Sequence, residues 1–264
     1  MARPIIALLT DFGILDHYAA AMKGVALGIA PDANLVDITH EVPAHDVLAG
    51  ALELAACYRY FPPGTVFLAV VDPGVGTDRR AIAVEAGDYR FVAPDNGVLS
   101  VVLDETPVRA AVELTERRYA RPTVSRTFEG RDRFAPAAAW LAGGVALSAL
   151  GRPAGDLRRL EVPAPVARGD DLSGEVLRVD RFGNLVSNID RPAFDRFAAG
   201  RRLQVRAGGQ EVPQLVTTYG EVGPGEVCAL FGSSDHLEIA VNGGSAAERL
   251  RLSRGAAVHL TRRA

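Results

Sequence analysis

The stretch Val66-Phe67-Leu68-Ala69-Val70-Val71-Asp72-Pro73-Gly74-Val75-Gly76-Thr77-Asp78-Arg79-Arg80 constrains the fold more than any other part of the chain. Its first six residues are apolar and three of them are valine, the pattern of a fully buried strand. That strand delivers Asp72 to its C-terminal end. Pro73 and two glycines then enforce a tight loop, which leaves backbone N–H groups free to face a ligand. Ala81-Ile82-Ala83-Val84 starts the next strand. In open α/β sheets, ligands bind off the carboxyl ends of the strands. Asp72 and Arg79 are therefore placed to meet over a small molecule. Taken alone, the same residues also fit an aspartate that caps its own turn and a surface arginine pair.

The 264 residues suffice for one large or two ordinary domains and for a sizeable core. The net charge of −3 is spread over mixed signs, and no basic run marks a nucleic-acid or membrane surface. Neither nucleic acid nor a bilayer is expected as a partner. Cys57 and Cys228 stand far apart and outside any metal-ligand spacing, so no metal site is expected. They read as two buried thiols of a reduced, cytoplasmic protein. No targeting segment is legible, because the apolar run Ile5–Leu9 is too short for a signal sequence. Phe134–Leu150 carries no charge, but it holds Pro136, Gly143 and Gly144 and falls short of the roughly 20 residues of a bilayer span. A buried helix fits it better.

The first part of the chain alternates strand and helix. Ile5–Leu9 reads as a buried strand ending at Thr10-Asp11-Phe12-Gly13. Asp16 is expected to cap a helix running to about Ala30, where Pro31 stops it. Its small residues, Ala19, Ala20, Ala21, Gly24, Ala26 and Gly28, allow close approach to a sheet. Asn34–Ile38 is a second strand, followed by the polar loop Thr39–His45. Asp46 caps a second helix from Val47 to about Arg59. This alternation predicts a mostly parallel sheet with helices on both faces. The polar groups at the ends of three strands, Asp11, the Thr39–His45 loop and Asp72, then gather on one edge. Further on, Pro94-Asp95-Asn96-Gly97 is a turn leading into a short helix, Val98–Leu103. Thr127–Pro136 feeds the uncharged helix, with Asp132 as its expected cap. Glu129 in that loop reads equally as a solvated acid or as a third carboxylate facing the site.

Residues 1–160 are thus expected to form an N-terminal α/β domain, residues 161–172 a Pro-containing linker, and residues 173–264 a second domain. In the latter, Gly174–Asp180, Leu203–Ala207, Glu226–Phe231, Leu237–Val241 and Ala257–Leu260 read as short strands between Gly-rich turns. That pattern suggests a small antiparallel barrel or sandwich. Two polar clusters, Asp180–Asn188 and Ser233–His236 with the following Asn242-Gly243, are hairpin turns or ligand loops.

Taken together, Thr10–Gly13, Val71–Gly76, Pro94–Gly97, Thr127–Pro136 and Phe182-Gly183-Asn184 resemble one family. It is the S-adenosyl-L-methionine (SAM) hydroxide adenosyltransferases, hydrolase relatives of the SAM-dependent fluorinase and chlorinase. The resemblance runs from about Ile5 to the C-terminus and keeps the motif order. It implies an N-terminal α/β domain, a C-terminal β-barrel and a homotrimer with sites at subunit interfaces. It also implies hydrolysis of SAM to adenosine and L-methionine with no cofactor. Carried over by motif, Asp72 and Arg79 match two members of an Asp–Arg–His catalytic set. Asp11 would hold the ribose hydroxyls, while Asp180 and Ser234 would grip the methionine end. Phe182, Asn184, Asn242 and Gly243 would hold the adenine. The family's usual Phe-His-Gly-Arg-Asp reads Phe128-Glu129-Gly130-Arg131-Asp132 here, so Glu129 stands in the third catalytic position. His236 stands where glycine is usual.

The implied reaction displaces a neutral thioether from ribose C5′, so the leaving group needs little proton transfer. The protein must place one water in line and take up its proton. Glu129 can accept a hydrogen bond from that water, and its charge favours a cationic substrate. Two other readings compete. One is a SAM or adenosine binding protein without turnover, its catalytic set broken by Glu129. The other is a SAM-dependent halogenase, opposed by the repulsion of Asp72 and Glu129 for a halide.

Overall fold

The structure, a computed structural model, describes residues 3–263 and divides into two compact units, Met1–Val162 and Pro163–Ala264. In the first unit β1 (Ile5–Thr10), α1 (Tyr18–Ile29), β2 (Asn34–Thr39), α2 (Val47–Cys57) and β3 (Val66–Val70) alternate in sequence. They are followed by β4 (Ala81–Ala86), β5 (Tyr89–Pro94), α3 (Ser100–Glu105), β6 (Val108–Leu114), α4 (Ala135–Ala142) and β7 (Gly151–Pro153). The seven strands form one sheet in the order β2-β1-β3-β5-β4-β6-β7. β2, β1, β3 and β5 run parallel, whereas β4, β6 and β7 add on antiparallel. The two-residue turn Gly87-Asp88 between β4 and β5 dictates that change, because so short a connection joins only antiparallel strands.

The central strands are buried on both faces, as their unbroken apolar runs require. Along β1, Ile6 and Leu8 join one core cluster and Ala7 and Leu9 the other. Along β3, Val66, Leu68 and Val70 divide from Phe67 and Ala69 in the same way. Residues of α1 and α4 complete the first cluster, and residues of α2 and α3 the second.

Several local features differ from expectation. α1 starts after His17 without a side-chain cap, and Asp16 is exposed. Its buried stripe is Ala19, Met22 and Ala26, whereas Gly24 and Gly28 face open space. The uncharged stretch is interrupted, since α4 ends before Gly143 and Leu147–Leu150 form a 3-10 turn, and the charged segment leading into it, Gly130–Phe134, forms a π-helical turn. Asp46 does cap α2, its carboxylate accepting from Ala49 N at 3.0 Å. Cys57 is only half-buried, while Cys228 is fully buried. No described helix is long and apolar enough to cross a membrane.

The second unit contains β8 (Val166–Arg168), β9 (Asp171–Val179), β10 (Leu185–Asp190), α5 (Arg191–Ala198), β11 (Leu203–Ala207) and β12 (Gln210–Val212). β13 (Val227–Phe231), β14 (His236–Val241), α6 (Ala246–Leu250) and β15 (Ala257–Arg262) complete it. β8 and the first residues of β9 occupy part of the segment expected as a linker. The strands run β12-β11-β15-β9-β10-β14-β13, with β8 on β9 and all these pairs antiparallel. A bridge from Leu215 to Ala229 brings the chain after β12 to β13, so the sheet nearly closes on itself as a barrel.

Candidate active site

In the first unit the sheet delivers polar groups where its parallel strands end. β1 and β3 pair in register up to Thr10 and Val70, so Asp11 and Asp72 emerge at adjacent strand ends. The loop after β3 turns back on itself through Gly74 and Gly76. Gly76 has φ +80°, and a Cβ there would lie 2.6 Å from the Arg126 carbonyl oxygen. Arg126 in turn donates to the Gly76 carbonyl at 3.1 Å. Glycine at 76 thus lets the loop of Asp72 touch the loop of Glu129.

Arg79 links the two acids. Its Nε lies 2.9 Å from both carboxylate oxygens of Asp72, and its Nη2 also donates to Glu129. The side chains of Asp72 and Arg79 are 5% exposed and that of Glu129 is 12% exposed. The guanidinium lies 5.2 Å from the centre of the Phe134 ring. Burial opposes the charge on Arg79, but its hydrogen bonds and attraction to Asp72, then to Glu129, hold its pKa above the usual arginine value. Glu129 is buried and paired with Arg79, so it is not a solvated loop acid. Arg133 approaches the other oxygen of Glu129 at 3.5 Å. Two guanidiniums therefore face two carboxylates, and Glu129 does not add the net negative charge expected of it.

Asp132 sits just beyond, fully buried, and does not cap α4. Its carboxylate accepts from Ser125 N at 2.9 Å and from Arg131 at 2.7 and 2.8 Å. It pins the 125–134 segment that carries Glu129. Burial works against its ionisation, but the bonds from Arg131 and Ser125, with the charges of Arg131 and Arg121, hold its pKa below the usual value.

Asp11 accepts from His45 N at 2.8 Å, with His45 in a left-handed conformation. The Thr39–His45 loop also braces this strand end through buried His40. Its Nδ1 lies 2.8 Å from Thr10 Oγ1 and its Nε2 3.1 Å from Asp37. That Thr10–His40–Asp37 chain was not legible in advance. The i,i+4 spacing of Glu129 and Arg133 was a usable signal for their pairing.

The second unit holds the other expected residues, four of them around a pocket of about 940 Å³. Asp180, Phe182, Asn184 and Gly243 line it, together with Ser233 and Glu238. Phe182 is 76% exposed, an aromatic face open to a ligand. Asp180 organises the turn that presents it, accepting from Phe182 N, Asn184 N and Asn184 Nδ2 at 2.8 to 2.9 Å. Ser234 and Asn242 do not line the pocket. The Ser234 hydroxyl is buried and has no partner among the described residues. Asn242 is committed to the Val222 carbonyl at 2.7 Å. The neighbouring Ser233 and Gly243 take the pocket-lining places.

The comparisons with known proteins match this arrangement. Residues 6–151 match the SAM hydroxide adenosyltransferase N-terminal domain and residues 174–259 its C-terminal domain. An (R)-S-adenosyl-L-methionine hydrolase of Salinispora tropica is 41% identical over 264 residues, covering 98% of each chain. A fluorinase of Nocardia brasiliensis is 32% identical, covering 98% of this chain and 97% of its own. A solved structure from Thermotoga maritima, described as an uncharacterized conserved protein, superposes with a TM-score of 0.92 at 39% identity. It covers 97% of this chain and 100% of that one. The sheet with its acidic strand ends, the antiparallel barrel and near-full-length likeness in both units agree: the chain belongs to the SAM hydroxide adenosyltransferase family.

Proposed function

We propose that this protein hydrolyses SAM to adenosine and L-methionine by attack of water on ribose C5′. The observation that carries this reading is the buried Asp72–Arg79–Glu129 cluster at the end of β3, in a chain 41% identical to a SAM hydrolase. The water oxygen forms the new bond to C5′ while the C5′–S bond breaks. Its electron pair goes to sulfur, and methionine leaves as a neutral thioether. The attacking water loses one proton to a carboxylate, Asp72 or Glu129, and from there to solvent. Arg79 fixes the plane of Asp72 through a two-point contact, which orients the acid toward the water. Because the substrate already carries a good leaving group, the reaction calls for no resident metal or redox cofactor.

Asp11 binds the ribose hydroxyls in this reading, and the second unit holds the ends of the substrate. Phe182 offers a stacking face to the adenine, with Asn184 and the Gly243 backbone beside it. Asp180 and the Ser233-Ser234 turn serve the methionine end. A homotrimer in the cytoplasm is the expected form, with one protomer's Asp72 working beside its partner's Asp180. Mixing Asp72→Ala and Asp180→Ala protomers, each inactive alone, then restores part of the activity.

A halogenase is the competing reading. Arg79 and Arg133 face the two carboxylates, so net charge alone does not decide against a halide, and product analysis does. The direct test of the proposal is incubation of the purified protein with SAM. Equal amounts of adenosine and methionine are expected, with no 5′-chloro-5′-deoxyadenosine when chloride is present. SAM bound for hours without adenosine formation would contradict hydrolysis.

A further inference from the structure

A buried chain of hydrogen bonds stands behind Asp11, and the proposed mechanism makes no use of it. Thr10 is fully buried at the end of β1, and His40 is 6% exposed. His40 Nε2 lies 3.1 Å from Asp37 Oδ1, and its Nδ1 lies 2.8 Å from Thr10 Oγ1. Asp37 also accepts from Lys23 at 2.6 Å. Burial works against the charge on Asp37, but the bonds from Lys23 and His40 hold its pKa below the usual value. An ionised carboxylate only accepts, so Nε2 carries the single ring proton and Nδ1 offers a lone pair. The Thr10 hydroxyl then donates to Nδ1, which leaves its oxygen to accept from Phe12 N at 3.3 Å. Every link thus has one proton and one direction.

His40 holds the backbone on both sides of Asp11. Its ring sets Thr10 and, through Thr10, Phe12, while its carbonyl accepts from Gly13 N at 2.7 Å. Further along the same loop, His45 N donates to Asp11 Oδ2 at 2.8 Å. That contact takes one of the roughly four acceptor positions of the carboxylate and leaves others for a ligand. We infer that the Thr10–His40–Asp37 chain positions Asp11 for the two ribose hydroxyls, with His40 as the central positioning residue. The inference rests on the reading of Asp11 as the ribose-binding acid. Hydrogen bonds weaken steeply as they bend, so a carboxylate holds two neighbouring hydroxyls only at a set angle. Misdirected, it loses those bonds while the rest of the nucleoside still docks. Thr10 and His40 are buried, so they act through the backbone of residues 10–13 and not by contact.

The test compares calorimetric binding of adenosine and of 2′,3′-dideoxyadenosine, which lacks both hydroxyls, to the full chain. The wild-type protein is expected to prefer adenosine. Thr10→Val keeps the shape of the side chain but removes the donor to His40. It is expected to weaken adenosine binding about five- to fiftyfold and to leave dideoxyadenosine binding unchanged. His40→Leu gives the same readout from the other end of that bond. Thr10→Ser, which keeps the hydroxyl, should retain the wild-type preference. Denaturant midpoints measured alongside report whether each variant is folded. Equal weakening for both ligands in the folded variants, as a merely structural role would give, overturns the inference, as does an unchanged preference for adenosine. A wild-type protein that binds both nucleosides equally, or neither, contradicts the ribose reading of Asp11 instead.

Discussion

Arg79 places Nε 2.9 Å from both oxygens of Asp72, so one edge of the guanidinium fixes the plane of the acid. The same guanidinium also reaches Glu129, fifty residues away in sequence. One cation thereby sets the geometry of two acids at a strand end, and the proposed chemistry depends on that geometry.

Asp72→Asn keeps the shape of the side chain but removes its basicity. Adenosine release is expected to fall about 10²–10⁴-fold, the usual range for loss of general-base assistance. The KM for SAM should move far less than kcat. Arg79→Lys should also lower kcat, because an ammonium is a point charge and cannot hold both acids in a fork. Steady-state kinetics of both variants check this.

Glu129→Ala leaves Arg79 with Asp72 alone and removes the acid that Arg133 faces. It is expected to lower kcat. Glu129→His, which restores the residue the family resemblance expects there, should retain more activity than the alanine variant. Parallel turnover assays of the two proteins decide it, and equal activity of all three forms would remove Glu129 from the mechanism.

Gly76→Ala places a Cβ against the Arg126 carbonyl in a left-handed backbone. The loop carrying Asp72 must then separate from the loop carrying Glu129. A loss of more than about 1 kcal/mol in stability is expected, together with reduced turnover. Denaturant titration and a rate assay on the same protein measure both effects.

Asp132 provides a pH test. Its folded-state pKa lies below the ordinary 3.8. The unfolded chain therefore binds more protons between the two values. The stabilisation is fully present above the ordinary value and is lost as pH falls through the folded one. Asp132→Asn should be destabilised at about pH 7, and its deficit relative to wild type should shrink in the acid range below 3.8. Denaturant midpoints across that range check the sign.

The part of the site built from local sequence was legible in advance. An apolar run ending in Asp72-Pro73-Gly74 announces a buried strand and a tight loop, and Arg79 lies within the reach of that loop. Glu129 stayed ambiguous because its partner Arg79 is remote in sequence, and only the fold brings them together. The Asp132 cap failed for a different reason. A π-helical turn precedes α4, and the carboxylate is taken by Arg131 and Ser125. The caps at Asp46 and Asp16 looked alike in sequence, yet only Asp46 meets a helix N–H. Glu238 was missed because a lone acid between Leu237 and Ile239 reads as the solvent-facing position of a strand. In this barrel that position faces a pocket instead. The antiparallel half of the first sheet follows from the short Gly87-Asp88 turn, whose consequence for β6 and β7 depends on long-range pairing.

The most direct test of the account follows the attacking oxygen. SAM is incubated with the protein in oxygen-18 water and the adenosine is analysed by mass spectrometry. One oxygen-18 atom on the 5′ carbon, with unlabelled methionine formed alongside, is the predicted result. Adenosine without the label, or a 5′-substituted nucleoside in its place, would contradict it.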